Sequence, residues 1–116
     1  MSQYEVRWTD AGRTLWRKIA DMRLRTKLLT LAGTLADEPA LKGKRLKDDL
    51  GGYLSLHWSR WRIIYSIDEE AMRVWIFVVG QRAEGKPSDA YRTASKFLRL
   101  GLLTPPLDED AESVRG

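Results

Sequence analysis

Residues 53–82 read YLSLHWSRWRIIYSIDEEAMRVWIFVVGQR, and this run decides the fold. It divides into three strand-like segments, Tyr53–Trp58, Trp61–Ile67 and Val74–Gly80, each rich in β-branched and aromatic residues. The gaps between them are too short for a crossover, so neighbouring segments must run antiparallel as a meander. Val74–Val79 is apolar on both faces, the pattern of an interior strand. A meander alone would leave it at an edge, so a further strand is needed beside it.

That strand lies at the start of the chain. Gln3–Trp8 alternates, with Tyr4, Val6 and Trp8 on one face and Gln3, Glu5 and Arg7 on the other. Pairing it with the last meander strand gives four strands in the order one, four, three, two. Thr9 or Asp10 can cap a following helix. Leu15, Ile19 and Met22 recur at helical spacing, and Leu28, Leu31, Ala32 and Leu35 form a second stripe. Two helices are expected, broken near Met22–Arg25, with Pro39 ending the second. Residues 41–52, LKGKRLKDDLGG, form a charged connector that closes on a glycine turn. A last helix is expected over Ser88–Leu103, with Ser88 as its cap and Gly101 near its end. The fold class is therefore α+β: two N-terminal helices on one face of a four-stranded, mostly antiparallel sheet (β-α-α-β-β-β), then a C-terminal helix. Residues 1–103 form the domain. Residues 104–116 form an acidic tail, read as disordered in preference to folding back over basic residues.

Composition bounds the function. At 116 residues, 43% apolar and 31% charged, the chain reads as one globular domain. It has no cysteine, which excludes disulfides, thiolate zinc sites and a cysteine nucleophile. No apolar run approaches the roughly 20 residues of a membrane span. The opening Met-Ser-Gln-Tyr-Glu lacks a signal pattern, so a cytoplasmic location is expected. The formal charge is +4 and uneven: residues 104–116 carry a net of −3, so the first 103 carry +7. A basic body suits a polyanionic partner, although a solvated charged surface would have the same composition.

The hairpin gathers the chemistry. With Ser59–Arg60 as a two-residue turn, Trp58 lies opposite Trp61 and His57 opposite Arg62. One face then carries Leu54, Leu56, Trp58, Trp61, Ile63 and Tyr65, a core. The other carries Tyr53, Ser55, His57, Arg62 and Ile64, turned away from that core. A slip of one residue would bury His57 instead. Arg82 sits just past the last strand, and the following loop returns Lys86 and Tyr91 toward the sheet. Such a set suits metal-independent cleavage of RNA. The ribose 2′-hydroxyl must lose a proton, the leaving 5′-oxygen must gain one, and charge on the phosphoryl oxygens must be stabilised. An imidazole titrating near ~6.5 serves either proton step, and guanidinium groups match phosphate oxygens with paired donors. No metal or other cofactor is needed. Each residue also has a plainer reading: His57 as a surface histidine, Arg62 and Arg82 as surface charges, Tyr91 as a residue packing on the sheet.

The run KRLKDDLGGYLSLHWSRWRIIYSIDEEAMRVWIFVVGQR resembles the RelE/ParE toxin superfamily. The shared features are a Lys/Leu/Gly-rich approach, the hairpin end Arg62-Ile63-Ile64-Tyr65, the acidic turn Asp68-Glu69-Glu70, the close Gly80-Gln81-Arg82, and Tyr91 beyond it. The RelE-like branch implies an mRNA interferase: an endoribonuclease cutting messenger RNA, in the ribosomal A site, to a 2′,3′-cyclic phosphate and a 5′-hydroxyl. It also implies a cognate antitoxin, with the toxin a monomer alone or a hetero-oligomer with that partner. Aligned on the family, His57, Arg62, Arg82 and Tyr91 are the catalytic candidates and Ser55 an RNA-binding one; Arg60 in the hairpin turn and Lys86 in the loop after Arg82 are further RNA-binding candidates. Lys44, Arg45 and Lys47 could track RNA backbone or form a solvated loop. Well-studied relatives carry lysines where this chain has Ser55 and His57, which moves the proton-transfer burden to His57. The ParE type, sharing the fold, poisons DNA gyrase by binding, and an inactive relative would only bind an antitoxin. Both stand as alternatives.

Overall fold

The computed structural model describes residues 3–106. The expected disorder of the acidic tail falls, from residue 107 onward, outside the described residues. In chain order the elements are β1 (Glu5–Trp8), α1 (Asp10–Arg17), α2 (Met22–Gly33), α3 (Pro39–Lys42), β2 (Lys44–Arg45), β3 (Leu54–Trp58), β4 (Trp61–Asp68), β5 (Arg73–Gln81) and α4 (Ala90–Arg99). The sheet order is β1-β5-β4-β3-β2, with β1 parallel to β5 and the other pairs antiparallel. The expected α+β fold and strand order hold, with a fifth strand added. Lys44 and Arg45 pair with Ser55 and Leu54 at the edge. Two residues cannot display a period, so the sequence had hidden this strand in the connector.

The helix boundaries differ from expectation because carboxylates and prolines sit where they satisfy helix ends. Thr9 caps α1, its hydroxyl accepting from the Gly12 amide at 3.1 Å. Asp21 caps α2, accepting from the amides of Arg23 and Leu24, so the break falls before Met22 rather than within Met22–Arg25. That helix ends at Gly33, and Pro39 does not terminate it. Pro39 instead opens α3 at the first helical position, where its missing N–H would be unpaired anyway. The last helix begins at Ala90 under an Asp89 cap, not at Ser88, and it ends at Arg99 ahead of Gly101 with φ of 74°.

The sheet is covered on both faces. Leu28, Leu35, Leu54, Ile63, Tyr65, Val74 and Ile76 form the larger core on one side, flanked by the half-buried Trp8, Trp16, Trp58 and Trp61. On the other, Leu50, Ile64, Trp75, Phe77, Val78 and Leu103 pack with Ala90 and Ala94 of α4. The hairpin face carrying Tyr53, Ser55 and Ile64 is thus not simply turned away from a core; α4 closes a second one over it. A register shift between Ile64 and Tyr65 leaves Phe77 without a partner on β4. This bulge puts Phe77 and Val78 on the same side, which the double-sided apolar run permits. No helix among the described residues is long and apolar enough to cross a membrane.

The connector is anchored rather than loose. Tyr65 is fully buried, and its hydroxyl donates to the Pro39 carbonyl at 2.6 Å. Burial pushes that phenol up to about 12, against opposing effects of the Gly43 backbone and Arg45. Gly43 lies directly against the Tyr65 ring and hydroxyl, with no room for a Cβ. Gly43→Ala is therefore expected to cost about 1–3 kcal/mol through overpacking and to displace β2. Urea denaturation should read the loss, and an unchanged midpoint would mean that the connector shifts freely.

Candidate active site

The β3–β4 turn sets the site's register. Ser59 adopts φ of 54° at the hairpin tip, and the pairs Trp58↔Trp61, His57↔Arg62 and Ser55↔Ile64 follow. His57 and Arg62 are thus cross-strand neighbours on one face, as the two-residue turn required. The Arg82 amide donates to the Arg60 carbonyl at 2.6 Å, so the exit from β5 is tied to the same turn. The first turn of α4 then lays Tyr91 across the sheet. Its hydroxyl lies 3.2 Å from His57 Nε2 and 3.3 Å from Ser55 Oγ.

The two arginines are held differently. Arg62 Nη1 donates to the carbonyls of Ser59 and Trp61, at 3.0 and 2.9 Å. Its Nε is buried and unpartnered within the described protein. An orphaned donor on a cation is costly unless a ligand satisfies it. Arg82 is gripped by Asp89, Nη1 to Oδ1 at 2.6 Å, and reaches Glu84 at 3.7 Å. Its guanidinium lies over the Tyr91 ring, 4.9 Å from the centroid.

Asp89 is a site residue that the sequence pattern did not reveal. It is 1% exposed and accepts from Arg82, from the Ala83 amide at 2.6 Å, and from the amides of Tyr91 and Arg92. Burial alone would raise its carboxyl, but the Ala83 amide, Arg82 and the Arg92 amide outweigh that and hold it below the usual carboxylate range. A signal was present: an acid immediately before an alanine-led helix is a strong cap, but Ser88 beside it is an equally good candidate. One carboxylate thereby fixes the start of α4, the placement of Tyr91 and the pose of Arg82.

A groove of about 530 Å³ joins most of the expected residues. His57, Arg62, Arg82 and Tyr91 line it together with Lys44, Arg45, Lys47 and Asp48 of the connector. Arg60 and Lys86 do not enter it; they line an adjoining groove of about 430 Å³ that shares Arg62 and Arg82. Ser55 is a correction. At 1% exposed it lies beneath Tyr91, and its hydroxyl meets the tyrosine rather than a ligand. Tyr91 both packs on the second core and presents its hydroxyl to the groove, so the two readings of it are compatible.

The electrostatics favour an uncharged imidazole. Desolvation lowers the His57 pKa from its ordinary 6.5, and the charges of Arg62 and Lys44 lower it further. At neutral pH the ring is thus a proton acceptor set among fixed cations. The groove can hold a phosphate, remove a proton beside it and return one through the neighbouring phenol.

Comparisons with known proteins agree with the resemblance read from the hairpin. The family model described as "ParE toxin of type II toxin-antitoxin system, parDE" matches residues 6–85. Toxin RelG of Mycobacterium tuberculosis is 33% identical over 81 residues, which cover 70% of this chain and 93% of that protein. The toxin–antitoxin complex RelBE2 of the same organism contains a chain with 34% identity and a TM-score of 0.67, covering 72% of this chain and 97% of that one. A mutant E. coli toxin RelE in the free state superposes with a TM-score of 0.60 at 17% identity, covering 78% and 97%; at that identity it speaks for the fold alone.

Proposed function

From the premise that the chain belongs to the RelE/ParE superfamily of type II toxin–antitoxin toxins, we propose that it is an endoribonuclease that cuts messenger RNA in the ribosomal A site. The observation that carries this reading is the His57–Tyr91 pair, 3.2 Å apart in a groove walled by Arg62, Arg82 and three connector cations. An imidazole hydrogen-bonded to a phenol beside guanidinium groups brings proton transfer and charge stabilisation to one place, which favours chemistry over binding alone.

The proposed chemistry follows from those groups. Neutral His57 takes the proton of the ribose 2′-hydroxyl as its oxygen bonds to phosphorus. Arg62 and Arg82 stabilise the charge that builds on the non-bridging oxygens, an effect worth a few kcal/mol where such donors are preorganised. As the bond from phosphorus to the 5′-oxygen breaks, Tyr91 gives that oxygen a proton and is reprotonated by the imidazolium beside it. The products are a 2′,3′-cyclic phosphate and a 5′-hydroxyl, and the proton count is unchanged. Ser55 steadies the Tyr91 hydroxyl from below. Lys44, Arg45, Lys47, Arg60 and Lys86 hold flanking backbone through their charges. Ribosomal messenger RNA as target puts the protein in the cytoplasm, and a cognate antitoxin would bind it and block the groove.

The test uses purified protein freed of antitoxin on programmed ribosomes. Cleavage of the messenger with a cyclic phosphate at the new 3′ end is expected, with free RNA left nearly intact. Intact transcripts together with inhibited gyrase supercoiling would establish the gyrase-directed reading, and neither effect would establish the inactive one.

A further inference from the structure

Arg82, Asp89 and Tyr91 line a further groove, of about 360 Å³, with Arg92, Ser95 and Arg99 of α4. It leads away from the catalytic groove along the outer face of that helix. Positions 92, 95 and 99 share this face by helical spacing, about 10 Å from end to end. Arg92 and Arg99 are exposed, and among the described residues neither has a carboxylate within salt-bridge distance. Of the nearby acids, Asp89 is paired with Arg82 and the cap amides, and Asp49 accepts from the Ser95 hydroxyl at 2.9 Å without pairing with either arginine.

Helix stability does not account for both cations. Arg99 in the last turn complements the helix dipole, but Arg92 stands in the first turn, where positive charge is disfavoured. A cation kept at an unfavourable position, open to solvent and continuous with a phosphate-binding groove, points to an anionic ligand. We propose that the α4 groove of Arg92, Ser95 and Arg99 is a second RNA track, holding phosphates of the strand being cut beyond the scissile linkage. The proposal rests on the endoribonuclease reading and adds the direction in which the strand leaves the site. The guanidinium groups of Arg92 and Arg99 take phosphate oxygens of the strand, while the Ser95 hydroxyl between them is held by Asp49.

The experiment measures binding of single-stranded RNA oligonucleotides to full-length His57→Ala protein, so that cleavage does not intervene. A short oligonucleotide is compared with ones extended by several nucleotides on the 5′ or the 3′ side. One extension is expected to raise affinity, and Arg92→Ala/Arg99→Ala should abolish that gain. The salt dependence for the extended RNA should become shallower by about 0.7 for each phosphate no longer neutralised, so by about 1.4 for the pair. Arg92→Lys/Arg99→Lys should retain most of the gain, because the charges remain. A double alanine variant that keeps the full gain, or that weakens short and extended RNA equally, overturns the track. Wild-type protein that cuts no messenger on programmed ribosomes while the extension effect persists would overturn the nuclease reading and leave an RNA-binding track on α4 standing.

Discussion

His57→Ala is expected to lower messenger cleavage by about 10²–10⁴-fold, the usual worth of a positioned proton-transfer group. Folding stability should hardly change, because the ring is on the exposed side of β3 and packs into neither core. The two readouts together separate chemistry from structure. The pH profile carries a further signature. The base must be unprotonated, and desolvation, Arg62 and Lys44 all lower its pKa from 6.5. The acid limb of kcat/KM should therefore lie below 6.5, with activity already on its plateau at neutral pH. Lys44→Ala removes one of the cations that depress the imidazole, so the limb should move upward toward 6.5. A His57→Ala protein that still arrests growth, or an acid limb above 6.5, would remove the imidazole from the mechanism.

Asp89→Ala should be the most damaging substitution to the fold outside the apolar cores. It removes a helix cap and leaves Arg82 and the Ala83 amide without their acceptor, so a loss of about 2–4 kcal/mol is expected. Asp89→Asn is the sharper test. The amide keeps much of the cap but loses the charge that grips Arg82 at 2.6 Å. This protein should fold, yet cleave on the order of 10–100-fold more slowly, because a guanidinium free to wander stabilises the transition state less well. The carboxylate also sets a stability–pH slope. Its folded pKa lies below the unfolded value of about 3.8, so its contribution is present above that value and is lost as pH falls through the folded one. Asp89→Asn should flatten the acid side of the denaturation curve. Full activity in Asp89→Asn would show that Arg82 needs no such anchor.

The meander was legible because strand faces alternate with a period of two. The turn Ser59–Arg60 sets which residues oppose one another, and the double-sided apolar run Val74–Val79 required a neighbour on each edge. From those local constraints alone came the strand order, the pairing of His57 with Arg62 and the position of Arg82 past the strand end. Helix ends were less legible. Several polar residues stand near each boundary, and where the backbone bends decides which one caps: the break falls at Asp21 rather than within Met22–Arg25, and Asp89 rather than Ser88 caps the last helix.

The sequence by itself determined the order of four strands, the register of the Ser59–Arg60 hairpin and the cations along one end of the sheet. Only the tertiary structure decided that Tyr91 meets His57, that Ser55 is covered, that Asp89 is buried against Arg82, and that Lys44–Arg45 forms an edge strand facing them. The reason is the range over which each is specified. Strand faces and hairpin pairs are set by neighbours a few residues apart, whereas Tyr91 and His57 are separated by 34 positions. Their meeting depends on the angle at which α4 enters, which the Asp89 cap and the packing of Ala90 and Ala94 against the sheet impose together.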